Sequence, residues 1–283
     1  MKRMKNIIID PALPKRLQCV VSDLDGTIIP ATFHISERTA QAFERARSMG
    51  VITILASGRS PASMRPFWRM LGGGSPYIAS NGAQTFDGNG ELIREVTIDL
   101  ETAREVIRFL KSEGIYCQTY YGDCFYHDSI DNPMPSHYSN STGLKAVRVD
   151  DLAGFVDKPV VKILGIDSPE NVERLLRLLG ARYMNRLIIS VSDPHFLEIA
   201  PSTASKGAAL ADLAERMGFQ REYTLALGDS LNDVSMLKWA GMSCAIGTCR
   251  DEVRDIATWN TGECHDDGAA DMINALLDAG FRP

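Results

Sequence analysis

Four short stretches of this 283-residue chain carry side chains able to do chemistry. VVSDLDGTIIP (residues 20–30) sets Asp23 and Asp25 two positions apart behind an apolar run. ASGR (56–59) supplies Ser57 and Arg59, SKG (205–207) supplies Lys206, and GDSLND (228–233) supplies Asp229, Asn232 and Asp233. Two carboxylates at the end of a buried strand repel each other, and burial favours their neutral forms. The rest of the chain must supply what makes them tolerable. Taken singly, each stretch is ordinary. A D-x-D-G is more often a turn or a calcium-like loop, an S-G-R a strand-to-helix connection, a helix-initial lysine a solvated side chain, and a G-D-S a turn. Their meaning depends on whether the fold gathers them.

The elements that position them follow from periodicity and punctuation. Residues 18–24 read as a strand. Ser36 is suited to cap a helix with Ala40, Phe43 and Ala46 on one face, and Gly50 stops it. VITILA (51–56) is a continuous apolar run of the kind a sheet covered on both faces requires. Ser60 and Pro61 fit N-cap and N1 of a second helix, and YIAS (77–80) is a third strand ended by the turn signal Asn81-Gly82. This βαβαβ order implies a parallel sheet with right-handed crossovers. The middle third loses strict alternation. FDGNGELI (86–93) reads as a hairpin, and a helix runs from about Asp99 to Lys111. IYCQTYY and CFYH read as strands, and residues 128–145, with Pro133 and Pro135, as a long loop. PVVKILGI is a strand, and SPENVERLLRLLG a helix capped by Ser168. LIISVS and FLEIA complete the block. Alternation returns after residue 200, with a helix from Ser205, the strand YTLALGD, the helix NDVSMLKWAG and the strand SCAIG.

The fold class expected is α/β: a doubly wound parallel-sheet core with an inserted α+β domain. The expected division is 1–84 and 191–283 for the discontinuous core and 85–190 for the insertion. In such sheets ligands bind at the carboxyl ends of the strands, which is where all four stretches fall.

Composition narrows the function. With 30 basic against 36 acidic residues the net charge is −6, which argues against a general affinity for nucleic acid. The six cysteines contain no C-x-x-C pair, so they read as small apolar fillers of a reducing compartment and not as a zinc site. The basic start, MKRMKNIIIDPALPKR, has an apolar run of only Ile7 to Ile9, too short for a signal peptide or membrane span. The expectation is a cytoplasmic protein without a membrane partner, as monomer or homodimer.

Together the stretches resemble the motifs of the haloacid dehalogenase superfamily, and within it the Cof-like phosphatases with a large α/β cap. DLDGTI is similar to the first motif, ASGR to the second, Lys206 to the third and GDSLNDVSM to the fourth. SNGA (80–83) and AGMSCAIG (240–247) also match the Cof-like pattern. Thr248 departs from it, since asparagine often follows that glycine. The likeness covers the chain from about Cys19 to its end. It implies a phosphatase with an aspartyl-phosphate intermediate, acting on small phosphorylated metabolites such as sugar or cofactor phosphates. A phosphomutase or phosphotransferase of the same superfamily, and a non-catalytic ligand-binding protein on this fold, are the alternatives.

The resemblance also assigns residues. Four acids in one pocket need a counter-charge, and oxygen ligands with retained waters suit Mg²⁺. Asp23 and Asp229 would ligate it through carboxylates and Asp25 through its backbone carbonyl, with Asp233 in the outer shell holding water or Lys206. Asp23 would be the nucleophile and Asp25 the general acid and base. Ser57, Lys206, Asn232 and the backbone N–H groups of Leu24 and Gly58 would bind phosphate. Gly26 and Gly58 would let the backbone approach the ligand, and Thr27 would brace the loop. Arg59 reads as a structural ion pair. Tyr120, Tyr121, Phe125, Tyr126 and His127 could face substrate from the inserted domain, but aromatics at strand spacing are more often packing. His195 reads as a surface residue, and Trp68, Trp239 and Trp259 as packing.

Overall fold

A computed structural model describes residues 7–31 and 34–283 of the chain. The basic residues 1–6 lie outside the described residues. The chain forms two compact units, one from Met1–Gly58, Met64–Arg94 and Ser205–Pro283, the other from Arg59–Ser63 and Glu95–Ala204.

In chain order the first elements are β1 (Cys19–Ser22), α1 (Glu37–Ser48), β2 (Ile52–Ala56), α2 (Pro61–Met70), β3 (Tyr77–Ala79), β4 (Gln84–Phe86) and β5 (Leu92–Glu95). Then come α3 (Leu100–Ser112), β6 (Tyr116–Tyr121), β7 (Cys124–His127), α4 (Met134–Thr142), β8 (Lys145–Arg148), α5 (Leu152–Phe155), β9 (Ile163–Ile166), α6 (Pro169–Arg182), β10 (Leu187–Asp193) and β11 (Phe196–Pro201). The chain ends with α7 (Lys206–Met217), β12 (Thr224–Gly228), α8 (Val234–Trp239), β13 (Met242–Ala245), α9 (Asp251–Arg254), β14 (Trp259–Asn260) and α10 (Gly268–Asp278).

The first unit's sheet has the order β14-β13-β12-β1-β2-β3-β4-β5. From β14 to β3 every neighbour is parallel, and β4 is antiparallel to β3. The chain winds outward from β1 in one direction through β2 and β3, and in the other through β12, β13 and β14. The order therefore reverses beside β1, which makes that edge a topological switch point. β1 and β12 are buried along their whole length, because both faces are covered. Val20, Leu225 and Cys244 pack on one side with α1 and α10, and Val21, Ala226 and Ala245 on the other with α7 and α8.

Local signals explain the helix starts. Ser36 accepts from Thr39 N, Asp99 from Thr102 N, Ser168 from Asn171 N and Ser205 from Ala208 N, each satisfying one of the orphan donors of a first turn.

The second unit's sheet runs β10-β11-β9-β6-β7-β8 and is antiparallel except between β7 and β8. Its core lies under α3 and α6, around Val106, Ile107, Leu110, Leu175 and Leu179.

Two expectations need correction. Residues 128–145 are not one loop, because they hold α4 and the start of β8. Pro133 and Pro135 fall at the N-cap and first turn of α4, where a missing N–H costs nothing, and Asn132 Oδ1 accepts from Met134 N at 2.9 Å. The division of the chain also shifts. β4 and β5 extend the first sheet past residue 84, β10 and β11 belong to the second, and the units part at 94/95 and 204/205.

Leu210 is fully buried on α7, the helix that begins with Lys206. Leu210→Ala is expected to cost about 2–5 kcal/mol in urea unfolding. Exposed Leu231→Ala should stay within about 0.5 kcal/mol. Equal losses would show that α7 is not anchored as described.

Candidate active site

Every sequence-predicted site residue lies at the carboxyl edge of the first unit's sheet or in the loops beside it. Asp23 follows β1, Ser57 follows β2, Asp229 follows β12, and Lys206 is the first residue of α7. At the centre, Lys206 Nζ donates to Asp23 Oδ1 at 2.5 Å and to Asp233 Oδ1 at 2.6 Å. The lysine is 0% exposed, Asp23 4% and Asp233 0%. One cation thus sits buried between two carboxylates.

Asp233 has its other oxygen engaged as well. Asp233 Oδ2 accepts from the backbone N–H groups of Asp229 and Ser230, both at 3.0 Å. This fixes the turn that presents Asp229. The Asp229 carboxylate accepts from Thr27 Oγ1 at 2.7 Å and from Ser230 Oγ at 3.0 Å. Thr27 therefore braces the site by holding an acid from the far loop.

Oxygens of Asp23, Asp229 and Asp233 come within 4.8 Å of one another. Burial pushes the Asp23 carboxyl well above its usual range, and Asp233 adds to this while Lys206 opposes it. Burial also raises Asp229, against the pull of its hydrogen bond from Thr27. Burial alone would lower Lys206, but Asp23 and Asp233 outweigh it and hold the ammonium charged far above neutral pH. The Asp23–Asp229 pair thus remains short of positive charge after Lys206 is counted. Hard oxygens on two carboxylates that resist ionisation fit a hard divalent cation.

Asp25 is exposed and its backbone bridges to Ile29. Gly26 N donates to Ile29 O at 3.0 Å, which closes the loop on itself. The Leu24 side chain is buried in the core, and Ser57 is buried at 1% exposure. Asn232 is exposed, and its Nδ2 donates to Asn81 Oδ1 at 3.0 Å.

The two glycines lie close against protein side chains. Gly26 has φ +81°, and a Cβ there would collide with the Asp229 carboxylate. A Cβ on Gly58 would lie 3.0 Å from Asn81 Oδ1. Sequence reading found the turn at Asn81-Gly82 but not Asn81's contact with Asn232. It found Thr27 but not its partner, because both contacts join residues remote in sequence. Thr248, which departs from the family pattern, donates to Glu263 Oε1 at 2.6 Å.

The aromatics of the second unit divide between the faces of its sheet. Tyr121 and Tyr126 pack with Phe155 against the helix-side core. Tyr120, Phe125 and His127 alternate to the other face, where Tyr138 contacts both Tyr120 and Phe125. There Gln118 Nε2 donates to Tyr120 Oη at 2.7 Å, and Lys162 pairs with Glu198 at 3.3 Å.

A doubly wound parallel sheet thus gathers acids, a buried lysine and a serine at its switch point, where such sheets bind their ligands. The profile of the haloacid dehalogenase-like hydrolases matches residues 20–273. A Bacillus subtilis 5-amino-6-(5-phospho-D-ribitylamino)uracil phosphatase is 28% identical, with 92% of this chain and 98% of that protein covered. Another B. subtilis phosphatase is 28% identical over 92% of this chain and its own full length. Among solved structures, a haloacid dehalogenase-like hydrolase from Bacteroides thetaiotaomicron superposes with a TM-score of 0.85 at 26% identity, covering 92% of this chain and 100% of that one. A Thermotoga maritima protein does so at 0.83 and 28%, covering 92% and 97%. The chain belongs to the haloacid dehalogenase-like hydrolases, and its relatives place it with the Cof-like phosphatases of that family.

Removing the buried cation tests the electrostatics. Lys206→Met leaves Asp23 and Asp233 uncompensated and should cost about 3–5 kcal/mol at pH 7.5 in EDTA. The raised Asp23 carboxyl binds a proton more readily folded than unfolded. Its contribution is present in acid and lost as pH rises through the raised value. The penalty of Lys206→Met should therefore be smaller at pH 5 than at pH 7.5, because a protonated Asp23 needs the ammonium less. Urea unfolding at both pH values checks this, and a constant penalty would contradict it.

Proposed function

We propose that the chain is a Mg²⁺-dependent phosphatase that hydrolyses small phosphorylated metabolites through a phosphoryl group carried on Asp23. The observation that supports this most is the Lys206 ammonium held between Asp23 and Asp233. It keeps one oxygen of Asp23 fixed, in a buried carboxylate, beside a cation suited to an incoming phosphate. Asp23, Asp229 and the backbone carbonyl of Asp25 would hold Mg²⁺, with Asp233 outside them. When bound, the ion would offset phosphate charge and orient the phosphoryl group for in-line attack.

The chain's own residues do the rest. Asp23 attacks phosphorus and the ester oxygen leaves, so one displacement becomes two. Asp25 gives a proton to the departing alkoxide and later takes one from the water that attacks the phosphoenzyme. That Asp25 is exposed beside a buried Asp23 favours this division, since a proton carrier needs access to solvent and leaving group. Ser57, Lys206, Asn232 and the N–H groups of Leu24 and Gly58 bind the phosphoryl oxygens.

In this reading the first unit is a discontinuous core and the second an inserted cap that reads the leaving group. A small metabolite is supported by the net charge of −6, which disfavours nucleic acid. Two relatives are named as phosphatases of a phosphorylated ribitylaminouracil, and sugar and cofactor phosphates are the first substrates to try. Among the described residues no helix is long and apolar enough to cross a membrane. We place the enzyme in the cytoplasm, as a monomer or homodimer.

Phosphate release from a metabolite panel should require Mg²⁺ and stop in EDTA, and full activity in EDTA would remove the metal assignment. The two acids of the first motif should separate in kinetics. Asp23→Asn should abolish turnover. Asp25→Asn should lose roughly a hundred-fold or more on alkyl phosphates, the scale of acid–base catalysis. With p-nitrophenyl phosphate, whose leaving group needs little protonation, Asp25→Asn should give a rapid-quench burst of p-nitrophenol near one equivalent, then a slow phase. No burst, with equal losses for both variants, would mean the roles are wrongly assigned.

A further inference from the structure

The turn after β3 is strained in a way that its role as a connection does not require. Ser80, Asn81 and Gly82 take φ values of 52°, 55° and 94° in succession. Two adjacent non-glycine residues in the left-handed region are costly, and such strain persists only where surrounding structure enforces it. Here two of the enforcing contacts lead to the site. Asn81 N donates to Ser57 O at 3.0 Å. Gly82 packs so closely on the start of α7 that a Cβ would collide with the Ser205 carbonyl and lie 2.9 Å from Lys206 N. Arg94 Nη1 holds the Gly82 carbonyl from the other side at 2.8 Å. The turn is thus clamped between the loop after β2 and the residue that carries the buried ammonium.

This clamp aims one side chain. The Asn81 carboxamide lies against Gly58, whose added Cβ would be 3.0 Å from Oδ1 and 3.1 Å from Nδ2. The same Oδ1 accepts from Asn232 Nδ2 at 3.0 Å. Asn81 therefore touches both the glycine after Ser57 and the amide of the GDSLND loop. The geometry points to Asn81 as a positioning residue for the phosphoryl cradle: its Oδ1 anchors one N–H of Asn232 and so directs the other toward the phosphoryl group. An amide nitrogen carries two N–H donors, so anchoring one does not consume both. Asn232 is exposed, so without this bond its amide would sample several rotamers before each binding event. A neutral acceptor suits the place, since an aspartate would accept the same bond but put negative charge beside an anionic substrate. This inference rests on the phosphatase reading of the site.

The test is a double-mutant cycle on the full chain with Asn81→Gly, Asn232→Ala and both together. Glycine keeps the left-handed backbone and the N–H to Ser57 while removing the amide, so Asn81→Gly should unfold at the wild-type temperature or above. Two readouts are taken with Mg²⁺ present: kcat/KM for p-nitrophenyl phosphate, and calorimetric affinity for inorganic phosphate. Each single variant should lose about tenfold in both, the scale of one hydrogen bond. The double variant should be no worse than the weaker single, because Asn81 acts through Asn232. Wild-type values for Asn81→Gly, or losses that multiply in the double variant, overturn the proposal. If wild type binds phosphate but hydrolyses no ester, the phosphatase reading fails and the calorimetric cycle still judges Asn81. If wild type turns over and the cycle shows no coupling, Asn81 fails and the phosphatase reading stands. A wild type that binds no phosphate overturns both.

Discussion

Lys206 is the charge on which the site depends. Two buried carboxylates and a half-buried third at one sheet edge would drive one another toward their neutral forms, and in the proposed chemistry a neutral Asp23 would be a poor nucleophile. One ammonium, fully buried and donating to both Asp23 and Asp233, opposes that drive without removing it. Its placement depends on the fold. Lys206 opens α7, Ser205 caps that helix, and Leu210 and Leu213 seat it on the sheet. The chain must therefore return from the second unit at the right point of the first for Lys206 to meet the acids at the strand ends.

The remaining contacts make the site one cross-braced object. Thr27 ties the β1 loop to Asp229, Asp233 ties the β12 loop to Lys206 and to its own backbone, and Asn81 ties the turn after β3 to Asn232. The bonds to Asp229, Lys206 and Asn232 each join segments that follow different strands. The rigidity that phosphoryl transfer needs is thus shared among side chains that never touch substrate in the proposed mechanism.

Much of this was legible in the sequence, for physical reasons. The central strands are buried on both faces, so they read as unbroken apolar runs such as VITILA, and helix caps such as Ser36, Ser168 and Ser205 mark their helices through local hydrogen bonds. The acids and Lys206, ordinary singly, stood out through their joint order along the chain, which resembles the family's motifs. What escaped was non-local or ambiguous. The prolines of α4 look like loop residues until their first-turn position is known. The join at 204/205 carries no local mark, so the expected boundary at 190/191 cuts through strands read as part of the middle block. The partners of Thr27 and Asn81 lie 202 and 151 residues away, beyond any spacing rule.

The central claim is that Asp23 itself takes the phosphoryl group, and the stereochemical course at phosphorus tests it most directly. A phosphate ester made chiral with oxygen isotopes would be hydrolysed in isotopically distinct water and the configuration of the released phosphate determined. Two successive in-line displacements, onto Asp23 and then onto water, predict net retention. Inversion would mean that water attacks the substrate directly, and would contradict the account.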